Sequence, residues 1–205
     1  MKVVSILAGF AIFAAPLGAS ARAAATSVVV DKDYFARSID IKDDALETVA
    51  TLDTYPGHKF ERNADEVVFL RAFISKATGK VIFQVYGSIS YPGDWRTYNR
   101  AAYATDAGPV DVDVTEIGHN VTECAYRCLL SETIAFEVPD AAFRRIAAKY
   151  AADPDGSWLY KFKAQSGEDW TDSTRLAEMM ALIEAVDAYR SAHVPGAGNS
   201  PQPSK

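Results

Sequence analysis

Three short segments and three histidines carry the residue types from which this chain could build chemistry. Cys124-Ala125-Tyr126-Arg127-Cys128 holds both cysteines of the sequence. In a straight strand, residues four apart lie about 13 Å from each other, whereas a disulfide needs Cα atoms within about 7 Å. A bond between Cys124 and Cys128 therefore demands a turn at 125–127 that sets them opposite each other at the mouth of a hairpin. An oxidising compartment closes such a bridge, and so small a loop gives about 2 kcal/mol before strain. The alternatives are unpaired thiols on one strand face, or a metal or redox centre formed by His119, Cys124 and Cys128. The C-x-x-x-C spacing is not that of thioredoxin-like sites, and His119 supplies a third ligand only with further bending. The expectation is a structural disulfide, Cys124 to Cys128, with no metal.

Val110-Asp111-Val112-Asp113-Val114-Thr115 alternates strictly, which turns both aspartates to one side of a strand, about 7 Å apart. That spacing suits a carboxylate pair for glycoside chemistry or a hard-cation site. Alternating aspartates are also ordinary solubilising residues on an exposed face. In Trp95-Arg96-Thr97-Tyr98-Asn99-Arg100, a strand would bring Arg96, Tyr98 and Arg100 to one face, two forked donors around an aromatic ring. The competing reading packs Trp95 in the core and pairs the arginines with nearby acids. Nucleophilic catalysis has little to stand on: the imidazoles are His58, His119 and His193, and the chain has no G-x-S-x-G elbow, H-E-x-x-H, P-loop or dinucleotide fingerprint.

The elements that must position these residues read as one α+β domain, an antiparallel β-sheet of about six to eight strands with two amphipathic helices packed on it. Short alternating stretches at 37–42 and 47–52 suggest half-buried or edge strands. Residues 66–76 and 80–91 are β-rich runs joined by Ala77-Thr78-Gly79, a hairpin-length loop, and Val81, Phe83, Val85 and Ile89 share a face. Strand character resumes at 95–103, 110–115 and 122–138. The first helix, 140–152, carries Phe143, Ile146, Ala147 and Tyr150 on one side. Trp158, Tyr160 and Phe162 form one face of a further strand. Thr171-Asp172-Ser173 offers N-cap chemistry for the second helix, 173–192, with a stripe of Leu176, Met179, Met180, Ile183 and Val186.

The 205 residues, 49% hydrophobic and 23% charged, fit a globular domain. The start differs from that average. Lys2 precedes an apolar stretch to about Leu17, and Ala19-Ser20-Ala21-Arg22-Ala23 supplies small residues, the layout of a secretory signal peptide cleaved after Ala23. The expected organisation is a signal peptide at 1–23, a domain at 24–192 and a disordered tail at 193–205. Cleavage removes Lys2 and Arg22, leaving 19 basic against 27 acidic residues and a net charge of −8. So acidic a chain lacks the footprint of a phosphate-backbone binder. Nucleic acid is a poor partner for it, and no membrane anchor is expected after cleavage.

The function these observations favour is an exported, periplasmic or secreted, non-catalytic binding or scaffolding domain without a cofactor. Its partner would be an envelope or extracellular protein, peptide or glycan, met by Trp95, Arg96, Tyr98 and Arg100. The rivals are a small hydrolase using Asp111 and Asp113, and a metal-handling protein.

Overall fold

A computed structural model of the chain describes residues 29–58, 67–123 and 128–194. The signal segment 1–23 lies outside the described residues, as do Cys124 and the tail from 195 onward.

The fold is α+β. Nine antiparallel strands, one more than the expected upper count, form a single curled sheet: β1 (Asp40–Lys42), β2 (Val49–Asp53), β3 (Val67–Ser75), β4 (Val81–Pro92), β5 (Tyr98–Thr105), β6 (Gly108–Glu123), β7 (Leu129–Val138), β8 (Ser157–Ala164) and β9 (Trp170–Arg175). Their order is β1-β2-β3-β4-β7-β6-β5-β8-β9. The long β6 makes the curl. Its first part pairs with β5 from Gly108 to Asp113, and its second with β7 from Val114 onward, so one strand serves both halves of the half-barrel.

The hairpin of β3 and β4 forms where the sequence places it, with Ile74 opposite Val81 and Val67 opposite Ser88. Its inward row, Val68, Leu70, Ala72 and Ile74 against Val81, Phe83, Val85 and Ile89, is buried. Gly87 interrupts that row because a Cβ there would stand 3.1 Å from Val68 Cγ2. Trp158, Tyr160 and Phe162 point inward from β8 as alternation predicts, and their rings meet Phe136 of β7. Burying each such ring contributes about 1.5–3 kcal/mol.

Three helices complete the fold. The first expected helix is α2 (Asp140–Ala147), continued by a 3-10 turn at Ala148–Ala151, and Phe143 stacks on Phe83 of β4 at 4.1 Å. The second, α3 (Leu176–His193), starts later than expected. Thr171, Asp172 and Ser173 belong to β9 and pair with Lys161, Tyr160 and Leu159. Hydroxyl and carboxylate side chains that suit an N-cap also suit an edge strand, and here the cross-strand partner decides. Arg175 takes the cap position without a side-chain bond, and Gly156 O accepts from Leu176 N–H at 2.9 Å. At its other end α3 includes His193, one residue past the expected helix end at 192, and Val194 is buried.

Helix α1 (Lys32–Ser38) replaces part of the expected strand at 37–42, of which only β1 remains. Asp31 caps it by accepting from Tyr34 N–H at 2.8 Å. Because α3 touches β2 and β3 at one end of the sheet, β9 at the other, and α1 and α2 at its sides, it is buried on more than the single stripe expected. Met180 is half-buried, while Ala181, Leu182 and Glu178 are inside.

Candidate functional site

The expected face of Trp95, Arg96, Tyr98 and Arg100 does not form. β4 ends at Pro92 and β5 begins only at Tyr98, so Trp95 and Arg96 belong to a loop. Within β5 the register to β8 shifts between Tyr98 and Arg100. A bulge of that kind turns neighbours at i and i+2 to different sides. Tyr98 is accordingly buried, edge-on to Tyr91 and Phe162, while Arg100 is exposed and pairs with Asp113 at 2.5 Å. The structure instead gathers Arg96 and Tyr98 around Tyr91 and sets Trp95 against His119. Arg96 stacks its guanidinium 4.4 Å from the Tyr91 ring and donates to Tyr98 Oη at 3.1 Å.

Beneath this loop lies Glu132 of β7, whose side chain is 1% exposed. Its Oε1 accepts from Tyr91 O–H and from Thr97 N–H at 2.9 Å, and its Oε2 accepts from Tyr98 N–H at 3.1 Å. Burying a carboxylate costs several kcal/mol, and three donors, two of them backbone amides, offset that cost. The loop gains a fixed shape. Thr97 adopts φ 53°, the left-handed region that a β-branched residue enters rarely.

His119 of β6 stands beside the same carboxylate, with Nε2 3.5 Å from Glu132 and Nδ1 3.6 Å from Glu116. A register shift between Glu116 and Gly118 puts Glu116 and His119 three apart on that side. The Trp95 indole covers the imidazole at 4.5 Å. The hairpin loop after β8 closes over the far side: Gln165 N–H and Ser166 N–H donate to Arg96 O, and Ser166 Oγ donates to Trp95 O at 2.8 Å.

The aspartates of β6 behave as surface charges. Asp113 is 86% exposed and holds Arg100, while Asp111 is 53% exposed and accepts from Lys163. That hydrogen bond keeps the Asp111 carboxyl below the usual carboxylate range. A glycosidase acid needs a carboxyl shifted the other way, and each aspartate here has a cation of its own. His119 is engaged by two glutamates, Cys124 lies outside the described residues, and among the described residues no three His, Cys, Asp or Glu side chains are grouped to hold an ion. The Cys124–Cys128 bridge likewise lies outside the described residues.

A second buried carboxylate escaped the sequence reading. Glu178, on the first turn of α3, is 1% exposed, and its Oε1 accepts from Thr54 Oγ at 2.5 Å. His58 Nε2 lies 2.8 Å from the same oxygen. Thr54 can donate to Glu178 because Leu70 N–H donates to its oxygen in turn. His58 ends a 3-10 turn at Tyr55–His58, which α1 clasps: Tyr34 O–H donates to Gly57 O, and a Cβ on Gly57 would stand 3.0 Å from the Phe35 ring. His58 is 6% exposed, and its Nδ1 has no hydrogen-bond partner among the described residues. A cavity of about 370 Å³ adjoins the pair, lined mainly by polar groups of Asp155, Ser157, Ser173 and Arg175. The signal available in the sequence was Glu178 itself, a carboxylate set among Leu176, Ala177, Met179 and Leu182 on a helix apolar on most sides.

A wider hollow of about 820 Å³ lies where β4 starts and β7 ends, with Lys80, Glu137, Asp140 and Arg190 on its walls. Among the described residues no helix is long and apolar enough to cross a membrane. No family model, curated protein or solved structure matches the chain.

Proposed function

We propose that this chain is an exported binding or scaffolding domain of the cell envelope or extracellular space, acting by recognition of a protein, peptide or glycan. The recognition element is the loop carrying Trp95 and Arg96 rather than the flat strand face of the sequence reading. One observation carries it: Glu132 holds Thr97 at a positive φ and thereby fixes the loop between two aromatic supports, Tyr91 and His119. Strain of this kind persists only where surrounding structure over-determines it, and it concentrates at ligand clamps. Ordering a loop in advance lowers the entropy lost on binding.

Cleavage after Ala23 and oxidation of Cys124 to Cys128 belong to the same reading. The pairing of Glu123 with Leu129 supports the bridge, because it holds the ends of β6 and β7 together next to the two cysteines in sequence. Mass spectrometry of non-reduced peptides tests it directly.

The decisive experiment presents the chain to arrays of peptides and glycans, as wild type, Trp95→Ala, Arg96→Ala and the double change Asp111→Asn, Asp113→Asn. A ligand lost with Trp95 or Arg96 and kept with the aspartate pair is the expected outcome. Retention in both loop variants would remove the loop from recognition, and loss confined to the aspartate variant would return attention to the acid pair.

A further inference from the structure

The cavity beside His58 and Glu178 is separate from the Trp95 loop, and it has a feature that packing does not explain. A buried imidazole nitrogen without a partner carries an uncompensated desolvation cost, and native structures leave few such groups without a reason. His58 is only 6% exposed, so its Nδ1 is not compensated by bulk water. The cavity stands in the seam of the half-barrel, bounded by α1, the 3-10 turn, the ends of β8 and β9, and α3. Its volume of about 370 Å³ falls within the range of small-ligand pockets.

We propose that this cavity binds a neutral, hydroxyl-rich ligand the size of a monosaccharide. With Nε2 directed at Glu178 Oε1, Nδ1 is the ring atom left for a ligand, and a hydroxyl answers it whether that nitrogen donates or accepts. The charges of the wall select against ions. An anion meets the carboxylates of Asp155 and Glu178, and a cation meets the guanidinium of Arg175. A hydroxyl both donates and accepts, so it satisfies either kind of group, and Ser157 and Ser173 can answer it in either role. No described hydroxyl reaches Nδ1, so the pair lacks the nucleophile contact of a serine hydrolase.

Calorimetric titration of the purified chain with D-glucose, D-galactose, D-mannose and N-acetyl-D-glucosamine tests the proposal, with acetate, phosphate and methylammonium as charged probes. At least one sugar is expected to bind saturably, and the double change Ser173→Ala, Arg175→Ala is expected to weaken it at least tenfold. Those two side chains lie outside the core, and a melting curve verifies that the variant is folded. His58→Phe, which keeps a ring but removes Nδ1, is expected to weaken the same sugar, and Trp95→Ala to leave it unchanged. Binding of none of the four sugars, binding of the charged probes alone, or full affinity in the Ser173, Arg175 variant would overturn the proposal. Loss on Trp95→Ala would overturn it too and move the sugar to the recognition loop. Intact sugar binding in Trp95→Ala, with array ligands indifferent to Trp95, would instead count against the loop alone.

Discussion

Glu132 and Glu178 are equally buried, each stands beside a histidine, and each joins elements distant in sequence, yet the donors around them are arranged differently. Around Glu132 the donors fall on both oxygens, and two are backbone amides of one loop. Around Glu178 the two described donors, Thr54 and His58, both fall on Oε1, and the next atom outward, His58 Nδ1, is left without a described partner beside a polar cavity. The first carboxylate is consumed in holding a shape. The second is part of a chain of polar groups that is incomplete within the described protein, and incompleteness next to a cavity is what a binding site presents before its ligand arrives.

One substitution, made at both positions, separates the two roles. Glutamine keeps the size of glutamate but has a single acceptor oxygen, and its NH₂ group can only donate. At position 132 the NH₂ must face a backbone N–H whichever way the amide turns, because Thr97 and Tyr98 claim different oxygens. Glu132→Gln is therefore expected to cost about 3–5 kcal/mol, the range for breaking a buried charged network. Urea titration followed by far-ultraviolet circular dichroism reads it. A loss below about 1 kcal/mol would mean that the loop is held by something other than Glu132.

At position 178 the same change leaves Oε1 in place for both Thr54 and His58. Glu178→Gln is expected to cost about 1–2 kcal/mol, from the weaker bond of a neutral acceptor. Equal losses at the two sites would dissolve the contrast. A much larger loss at 178 would reverse it and make the α3 carboxylate the structural hub.

Legibility in the sequence followed the range of the interactions. The β3–β4 hairpin, the inward faces of β4 and β8 and the Phe143 face of α2 were readable because periodicity is local and one side of each element is buried. Where a distant partner decides, the reading failed. Thr171-Asp172-Ser173 is equally good cap or edge strand until β8 is placed beside it. Arg96, Tyr98 and Arg100 share a face only if β5 has no bulge and begins early. The site was legible to the same extent: Trp95, Arg96 and His119 drew notice by type, but Glu132, which organises them, lies 35 residues from Thr97 and looks like any polar residue of an alternating strand. Glu178 and His58 are separated by 120 residues and share no motif.

Thr97 offers a finer measure of the same contrast, since it is the one non-glycine residue with positive φ among the described residues. If Glu132 imposes the strain, Thr97→Gly removes it, which returns about 1–2 kcal/mol. The added freedom of the unfolded chain takes back about 0.4–1 kcal/mol. A net gain of about 0.5–1 kcal/mol is expected, measured as a higher urea midpoint with unchanged slope. In the Glu132→Gln background the gain should shrink, because a loop released from its carboxylate no longer needs the left-handed conformation. An undiminished gain in that background would show the strain to be intrinsic to the turn.

The smallest effect is expected at Asp111, which serves as the exposed reference for both buried carboxylates. Lys163 lowers its pKa from the ordinary value of 3.8, first through the hydrogen bond and then through charge attraction, with Arg100 adding to the latter. A carboxyl whose pKa is lower folded than unfolded stabilises the fold above its unfolded pKa and loses that contribution as pH falls through the folded value. The contribution of Asp111 is therefore fully present at pH 7 and fades only below about pH 4. Because water and salt screen so open a pair, Asp111→Asn is expected to leave the melting temperature at pH 7 within error of wild type, with any difference erased by 1 M salt. A scan from pH 7 to pH 2.5 with both proteins checks the sign: the curves should converge as acid protonates Asp111. A drop at pH 7 as large as that of Glu178→Gln would place Asp111 among the residues on which the fold depends, and the acid pair of β6 would again be a candidate for work beyond solubility.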